Sequence, residues 1–485
     1  MSKQSKIIML TLALLSLSLR GLSQAITFDQ LTEGKGIVKN STPLFIGFNG
    51  QDLVLIQRQG RLKNRLELVH YTSDLKEQNR TVVSNGGDPT CYGGYLNGNH
   101  IDLLQAAHTP EGMHIYRDSR NLHTLQPDST PQTLFKRTGM QGDQFLFNIA
   151  VSPNGKLLAC VAVANRMAQG FETTVGLYNH QLEEYWTQTT SRTPPDNIAV
   201  TDEGDIILYT LDEQGDCRFT LFDGEQIQDI SFKIPKGDPV VQRTLLRYGD
   251  GNILLADAVR QENHVLMPVG TNIDRIDIHC YKIQRKTLST FRRPLTQHEV
   301  NRLTNQKEDT PQNRLWVQFG RICQTLQDSS GAYLMLDQQW NLATNGVPTA
   351  VQRMGMMVMR IDRNGEIQWS TAKRMTSSAS LNKSDYLGYQ WLTTPCGIML
   401  AWMDHADNTT YPYSKPVKLF EPTSHPSTLN VWTLTPDGKE DQSFIETGRQ
   451  ALAGAAHSLA APGEYVVLLT TGRKDQLTKI TIENL

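Results

Sequence analysis

The chain has 485 residues, of which 39% are hydrophobic and 20% charged, and its formal net charge is −2 at pH 7. The apolar fraction is sufficient for a folded core. The nearly balanced charge, with a pI of about 6.6, argues against nucleic acid or an anionic membrane surface as the main partner.

The first 25 residues predict a secretory signal peptide. Lys3 and Lys6 precede an apolar run from Ile7 to Leu19, and small residues surround a cleavage point after Ala25. As a helix this run rises only about 20 Å, less than the roughly 30 Å of a bilayer core. The sequence therefore predicts an exported protein, periplasmic or extracellular, with no integral membrane segment after cleavage.

After the leader, a glycine-closed turn followed by a short apolar strand recurs eight times, at steps of 47 to 80 residues. The glycines are Gly50, Gly98, Gly155, Gly204, Gly251, Gly331, Gly397 and Gly463. Strands repeating at this period, with almost no helix between them, are typical of a β-propeller.

A second series of strand–turn–strand segments also repeats eight times, almost in step with the first. Together they predict an all-β fold: a single propeller of eight four-stranded blades, with seven blades as the alternative. The predicted blades span residues 40–86, 91–136, 144–190, 196–234, 242–292, 318–374, 386–446 and 455–485. Because the last unit ends before a fourth strand, residues 26–31 are expected to supply its outer strand and close the ring.

Two short segments resemble known propeller repeats. SPNGKLLACVAV (152–163) is similar to the turn of Tol-B-like repeats, and RIDRNGEIQWS (360–370) is similar to the blade end of quinoprotein-like repeats. The resemblance implies an exported bacterial propeller without assigning a role. Tryptophan does not recur in every blade as it does in quinone dehydrogenases, so no cofactor is predicted. Cys160, Cys280 and Cys323 lie in apolar strands and are expected to be buried thiols.

No standard catalytic or phosphate-binding motif is present in the sequence. Thr296 and Glu299 fit a capping box that begins a short helix. Four long insertions, near 258–274, 292–317, 338–354 and 403–428, are predicted to lie on one face of blades 5 to 7. Loops on a rigid scaffold commonly carry function, so this face is the predicted binding surface.

Carboxylates and aromatic rings are concentrated in these insertions. Such groups suit a carbohydrate, whose hydroxyls bind carboxylates and whose C–H faces stack on rings, or a protein partner. The candidate ligand-binding residues are Trp316, Trp340, Asp404, His405, Asp407, Tyr411 and Tyr413. Two alternatives stay open: the aromatic residues plug their own loops onto the sheets, or Asp404, His405 and Asp407 hold a metal. No metal site is predicted.

Two functions follow from this pattern. The preferred one is a binding or scaffold protein that presents these loops to a glycan or protein partner. The alternative is a carbohydrate-active hydrolase or lyase that uses acids where the second strand of each blade ends. The candidate acids are Asp212, Asp257, Asp337 and Asp404. Catalysis would require two carboxylates to converge, with at least one pKa raised.

Overall fold

The computed structural model describes most of the chain between residues 26 and 482. The described residues are 26–30, 44–48, 51–59, 65–85, 90–109, 112–138, 144–166, 170–191, 195–259, 273, 275–294, 296–303, 321–328, 330–344, 347–380, 387, 389–394, 397–409, 418–452, 457–458, 464–470 and 475–482. The predicted signal peptide lies outside them.

Seven antiparallel sheets of four consecutive strands follow one another along the chain, and we number them as blades 1 to 7. Blades 1 to 3 comprise β2 (Leu44–Phe48), β3 (Asp52–Gln59), β4 (Arg65–Thr72), β5 (Glu77–Asn85), β6 (Thr90–Asn97), β7 (His100–Thr109), β8 (Gly112–Asn121), β9 (Gln132–Thr138), β10 (Gln144–Val151), β11 (Leu157–Arg166), β12 (Gly170–Asn179) and β13 (Glu184–Thr190).

Blades 4 and 5 comprise β14 (Asn197–Val200), β15 (Ile206–Leu211), β16 (Asp216–Phe222), β17 (Ile227–Lys233), β18 (Val240–Gly249), β19 (Asn252–Val259), β20 (Arg275–Lys282) and β21 (Thr287–Pro294). Blades 6 and 7 comprise β22 (Arg321–Asp328), β23 (Gly331–Thr344), β24 (Val347–Asp362), β25 (Ile367–Ser380), β26 (Tyr389–Thr394), β27 (Gly397–His405), β28 (Ser427–Leu434) and β29 (Glu440–Gly448). A helix, α1 (Gln297–Leu303), lies between blades 5 and 6, and a 3-10 helix, Ala406–Thr409, follows β27.

The two ends of the chain share one further sheet of five strands, the terminal sheet. It comprises β1 (Ile26–Gln30), β30 (Ala451–Leu452), β31 (His457–Ser458), β32 (Glu464–Thr470) and β33 (Asp475–Ile482). β1 pairs antiparallel with β33, with Ile26 opposite Ile482 and Gln30 opposite Thr478. This register confirms, for residues 26–30, the predicted pairing of the N-terminal segment 26–31 with the C-terminal strand; residue 31 lies outside the described residues.

The protein is a single all-β propeller with seven four-stranded blades, so the prediction of eight four-stranded blades is not supported. The alternative of seven describes the structure. The last predicted unit, 455–485, departs from the pattern at its inner position, where two short strands replace one. The sequence from 451 to 463, ALAGAAHSLAAPG, is rich in Ala and Gly and contains a proline, and such a segment does not favour a continuous strand.

Apolar cores lie between successive blades rather than within them. The cores at the blade 4–5, 5–6 and 6–7 boundaries each combine side chains from two neighbouring sheets. Central strands are consequently buried on both faces, as in β19, whereas the outer strand β21 alternates between exposed and half-buried positions. Burial on both faces is what a blade requires, because each sheet packs against two others.

The inner strands of blades 3 to 6 surround a common space. Residues of β10, β14, β18 and β22 line one cavity of about 270 Å³. This cavity places the propeller axis beside the first strand of each of these blades. In each blade, the turn between the first and second strands therefore lies on one face of the propeller. The end of the second strand lies on the opposite face.

The glycine turns and the Cys160 and Cys280 thiols follow the sequence prediction where the structure describes them, whereas Cys323, also expected to be buried, does not. Gly155 and Gly251 both have φ of +73°, with open space where a Cβ would lie, so backbone conformation is what requires glycine at these turns. Cys160, Cys217 and Cys280 are buried thiols, and Cys323 is half-buried. Burial raises the pKa of the Cys217 thiol to about 12, which makes it unreactive.

Candidate functional site: a polar cleft between blades 4 and 5

A cleft of about 410 Å³ lies between blades 4 and 5 on the face where the second strand of each blade ends. The turn after β15 and the connection 234–240 form one wall. The other wall comes from β19, β20 and β21 of blade 5. Its charged lining residues are Glu213, Lys236, Asp238, Arg243, Asp257, Arg275, Asp277 and Arg292.

A buried ion pair forms the floor of the cleft. Arg243 Nε and Nη2 donate to the two carboxylate oxygens of Asp257 at 2.7 and 2.5 Å, and the side chains are only 2% and 3% exposed. These residues are directly opposed on β18 and β19. Arg243 Nη1 also donates to the backbone oxygen of Asp212 at 2.6 Å, which ties the floor to blade 4. A two-pronged pair of this kind fixes both groups in position.

The ion pair continues to the cleft surface through a histidine. His279 Nε2 lies 3.0 Å from Asp257 Oδ2, and His279 Nδ1 lies 2.9 Å from Thr290 Oγ1. His279 is buried, whereas Thr290 is exposed and lines the cleft. The arrangement resembles an acid–histidine–hydroxyl relay, but Arg243 already neutralises the acid.

A second charge cluster lies above the floor. Arg275 donates to Asp277 through Nε at 2.6 Å and Nη2 at 2.9 Å, and its Nη1 lies 2.9 Å from Asp238. Arg292 lies 3.9 Å from Asp277, and its side chain is 67% exposed. A ligand in the cleft can therefore reach the Arg292 guanidinium with little loss of existing contacts.

The charges on the floor are permanent over the physiological pH range. Burial alone would raise the pKa of Asp257, but hydrogen bonds from His279 and Arg243 outweigh it and hold the pKa below its usual value. For Arg243, burial lowers the pKa, but the pair with Asp257 raises it overall. The cleft thus offers fixed donors and acceptors, and Asp257 is a poor proton donor.

The four candidate acids are not brought together into one group. Asp212 and Asp257 are linked through Arg243, but Asp337 accepts a hydrogen bond from Tyr389 at the blade 6–7 boundary, 3.0 Å away. Asp404 lies in β27 of blade 7. Asp257, Asp337 and Asp404 are all less than 10% exposed, so these acids at the ends of second strands are buried within the blades.

Asp404, His405 and Asp407 bond to one another or to residues in and after the 3-10 helix that follows β27. Asp404 Oδ1 accepts from the His405 backbone at 2.7 Å and from Asn408 Nδ2 at 2.6 Å. Asp407 pairs with Lys418, and its backbone N–H donates to His405 Nδ1 at 3.1 Å. Burial raises the pKa of Asp404 to about 7 although the hydrogen bonds oppose this shift. These contacts give the three residues a role within their own loop.

The predicted aromatic contacts fall largely beyond the described residues. Trp316, Tyr411 and Tyr413 lie outside them, and for Trp340 the structure describes only the backbone, paired with Gln352. One neighbouring aromatic residue does behave as a plug: Phe420 is fully buried, and its backbone bonds to Thr376 and Ser378 of β25.

The predicted loop at 338–354 is wrong. β23 and β24 continue as a paired ribbon from Gln339 opposite Arg353 to Thr344 opposite Val347. Residues 345 and 346, Asn-Gly, separate the strands and lie outside the described residues. Asn-Gly is the strongest short sequence signal for a two-residue hairpin, and it was the clue to this extension.

The residues that build the cleft were missed at the sequence level, apart from Asp212 and Asp257. The signal for them is the alternation in β20, RIDIHCYK. There Arg275, Asp277 and His279 share one face, and Ile276, Ile278 and Cys280 share the other. Because β20 is buried on both faces, its polar side chains must form ion pairs or hydrogen bonds with side chains of neighbouring strands. The register between the strands determines which side chains these are.

Comparisons with known proteins find similar structures but no family by sequence. No protein-family model and no curated protein matches the sequence. The structure resembles the WD40 domain of SCAP from fission yeast, at 7% identity over 94% of this chain and 98% of that one, with a TM-score of 0.37. It also resembles the Dos1 propeller, at 8% identity over 93% and 94%, with a TM-score of 0.41.

A third similar structure is the propeller domain of the Trilobed protease from Pyrococcus furiosus, at 11% identity over 92% of this chain and 96% of that one, with a TM-score of 0.36. All three are β-propellers. The assignment of this chain to that class rests on its own strand order.

None of the helices in the described part of the chain has the length and apolar character needed to cross a membrane.

Proposed function

We propose that the protein is an exported binding or scaffold propeller that holds a glycan or protein partner in the cleft between blades 4 and 5. The observation that carries the proposal is the set of fixed, paired charges around a cavity large enough for a sugar unit or a short peptide segment. Preorganised guanidinium and carboxylate groups bind hydroxyls or peptide groups without first having to be ordered.

The position of the cleft agrees with the face on which the long insertions begin. Strand β19 ends at Val259 beside the cleft, and the insertion of blade 5 follows it directly. A partner that fills the cleft can therefore extend toward the β23–β24 ribbon of blade 6, which also follows the end of a second strand. Export is part of this proposal and depends on the segment 1–25.

The test is a glycan-array and pull-down screen of the chain without residues 1–25, comparing Arg292→Ala with Arg285→Ala. Arg292 is exposed in the cleft, whereas Arg285 is exposed in the turn between β20 and β21 at the other end of the same blade. We expect Arg292→Ala to weaken binding at least about fivefold, the low end for loss of an arginine contact. Equal binding by both variants would place the site elsewhere.

A second version of the screen replaces residues 403–428 with a short turn. Loss of binding in this variant, with normal binding by Arg292→Ala, would show that the contact surface is on blade 7 rather than in the cleft. Loss in both the loop replacement and Arg292→Ala is expected if a partner covers the whole face.

One observation favours the alternative, a carbohydrate-active hydrolase or lyase. The pKa of Asp404, raised by burial to about 7, suits a general acid. Its hydrogen bonds come from His405 and Asn408 rather than from an acid, so the required second carboxylate would have to be Asp212, Asp257 or Asp337 in another blade. Hydrolysis of an array glycan that Asp404→Asn abolishes would establish this function instead.

A further inference from the structure

Two histidines and one aspartate meet on the opposite face, at the boundary of blades 1 and 2. Asp52 begins β3, His70 lies in β4, and His123 lies in the turn between β8 and β9. One potential ligand atom from each lies within 4.8 Å of the other two. His70 Nε2 is 2.6 Å from Asp52 Oδ1, and the two imidazole rings are 6.0 Å apart at 57°.

The turn that carries His123 is held firmly against blade 1. Leu122 and Leu125, on either side of it, are both fully buried in the core shared by blades 1 and 2. The Asn121 side chain accepts hydrogen bonds from the His123 and Thr124 backbone N–H groups, each at 3.0 Å. The Asn79 side chain of blade 1 donates to the His123 carbonyl. The position of His123 near His70 is therefore built into the fold.

The donor set and its spacing suit a transition-metal ion. Two imidazoles with a carboxylate are characteristic ligands for zinc and neighbouring divalent metals. Ligand atoms that each lie about 2.0–2.2 Å from a tetrahedral zinc are about 3.4 Å apart. The three ligand atoms lie within 4.8 Å of one another, so binding would require the His70–Asp52 contact of 2.6 Å to widen and the exposed His123 ring to move inward.

His70 has the surroundings of a ligand rather than of a surface residue. It is 3% exposed, and in the described structure its Nδ1 atom is buried with no hydrogen-bond partner. Its Nε2 atom already faces the Asp52 carboxylate. In metal sites, a carboxylate next to a histidine either binds the same ion or holds the imidazole ring in position.

We propose that Asp52, His70 and His123 bind one zinc-like divalent cation that fastens the β8–β9 turn of blade 2 to blade 1. The ion would replace the direct His70–Asp52 contact and leave at least one position for water. The site is on the face opposite the cleft, so it does not depend on the proposed binding function. The sequence did not reveal it, because its members are 18 and 53 residues apart.

A similar pair on the same face provides the control. His100 Nδ1 lies 2.7 Å from Asp128 Oδ2, but no third ligand completes a group with them in the described part of the chain. If a neighbouring histidine and aspartate were sufficient to bind zinc, both the His70–Asp52 and the His100–Asp128 pairs would bind it. If a third ligand is needed, only the site that includes His123 would bind zinc.

The experiment titrates zinc into the metal-free protein without residues 1–25, purified without a histidine tag, and measures stoichiometry by calorimetry. Cobalt absorption reports the coordination geometry. We expect one zinc per chain at neutral pH, a Kd at least about tenfold weaker in His123→Ala, and no change in His100→Ala. Because His123 is exposed, His123→Ala should fold, and a circular dichroism melt in EDTA checks this.

A wild-type protein that takes up no zinc, or variants that bind equally, would overturn the proposal. A zinc-dependent rise in melting temperature seen in the wild type and His100→Ala, but not in His123→Ala, would support the fastening role.

Discussion

At the scale of single residues, the buried charged side chains of the cleft are held in ion pairs. Arg243 and Asp257 satisfy one another in a nearly dry environment, and His279 and the Asp212 carbonyl take up their remaining bonds. Removing one member of such a pair leaves an uncompensated buried charge, which commonly costs about 3–5 kcal/mol. Arg292, which is exposed, is therefore a more informative site for a binding test than Arg243.

Asp404 makes stability depend on pH. Its pKa is about 7 in the folded protein because of burial, against a reference value of 3.8. The folded state therefore binds the proton more tightly, and the associated stability is present at low pH and lost as pH rises from about 4 through 7. The full shift corresponds to roughly 4 kcal/mol, an order-of-magnitude figure.

We expect Asp404→Asn to be more stable than the wild type at pH 8, and the difference to shrink or reverse at pH 5. Urea denaturation at both values measures it. Asp437→Asn is the control, because the pKa of Asp437, lowered to about 2 by the nearby Lys439, lies outside this window. Parallel pH profiles for Asp404→Asn and the wild type would contradict the interpretation.

At the scale of elements, connections between blades are anchored by specific backbone and side-chain contacts. The predicted capping box begins α1 as expected: Thr296 Oγ1 accepts from the Glu299 N–H at 3.3 Å, and Glu299 accepts from the Thr296 N–H at 2.7 Å. Arg302 at the end of this helix pairs with Glu440 of blade 7 through bonds of 2.5 and 2.8 Å. The helix thus joins the outer strands of different blades.

The segment after residue 417 is anchored by Phe420. The Phe420 N–H donates to Thr376 at 2.8 Å, and the Ser378 N–H donates to the Phe420 carbonyl at 2.9 Å, which attaches this segment to β25 of blade 6. We expect Phe420→Ala to reduce the free energy of unfolding by about 3–5 kcal/mol, as for other fully buried aromatic residues.

Leu419→Ala is the matched control, because Leu419 is adjacent but 37% exposed. Its cost should remain below about 1 kcal/mol in the same urea titration. Equal losses in the two variants would show that Phe420 does not anchor the segment.

At the scale of the whole molecule, local patterns predicted the fold well and the side-chain network poorly. Gly155 and Gly251 identified real turns, and the predicted pairing of the N-terminal segment with the C-terminal strand is confirmed for residues 26–30. The count of eight four-stranded blades failed at the last unit, where an Ala- and Gly-rich segment forms two short strands instead of one. The partners of Asp257 could not be predicted, because Arg243 and His279 meet it only through the register of three strands.

The terminal sheet predicts a strong dependence on the N-terminal segment. Deleting residues 26–33 removes β1 and exposes the edge of β33, whose backbone groups it satisfies. We expect a fall in melting temperature of several degrees, the range for loss of a few kcal/mol in a domain of this size. An unchanged melt in differential scanning calorimetry would show that β1 contributes nothing to closure.

The opposition of Ile26 and Ile482 has one more consequence. Directly opposed residues on antiparallel strands have Cα atoms only about 5 Å apart, so a linker of a few residues could join them. The polypeptide is then topologically close to a circle. New ends could be opened in the 191–196 connection between blades 3 and 4, and a circular permutant of this kind would preserve every strand pair of the native fold.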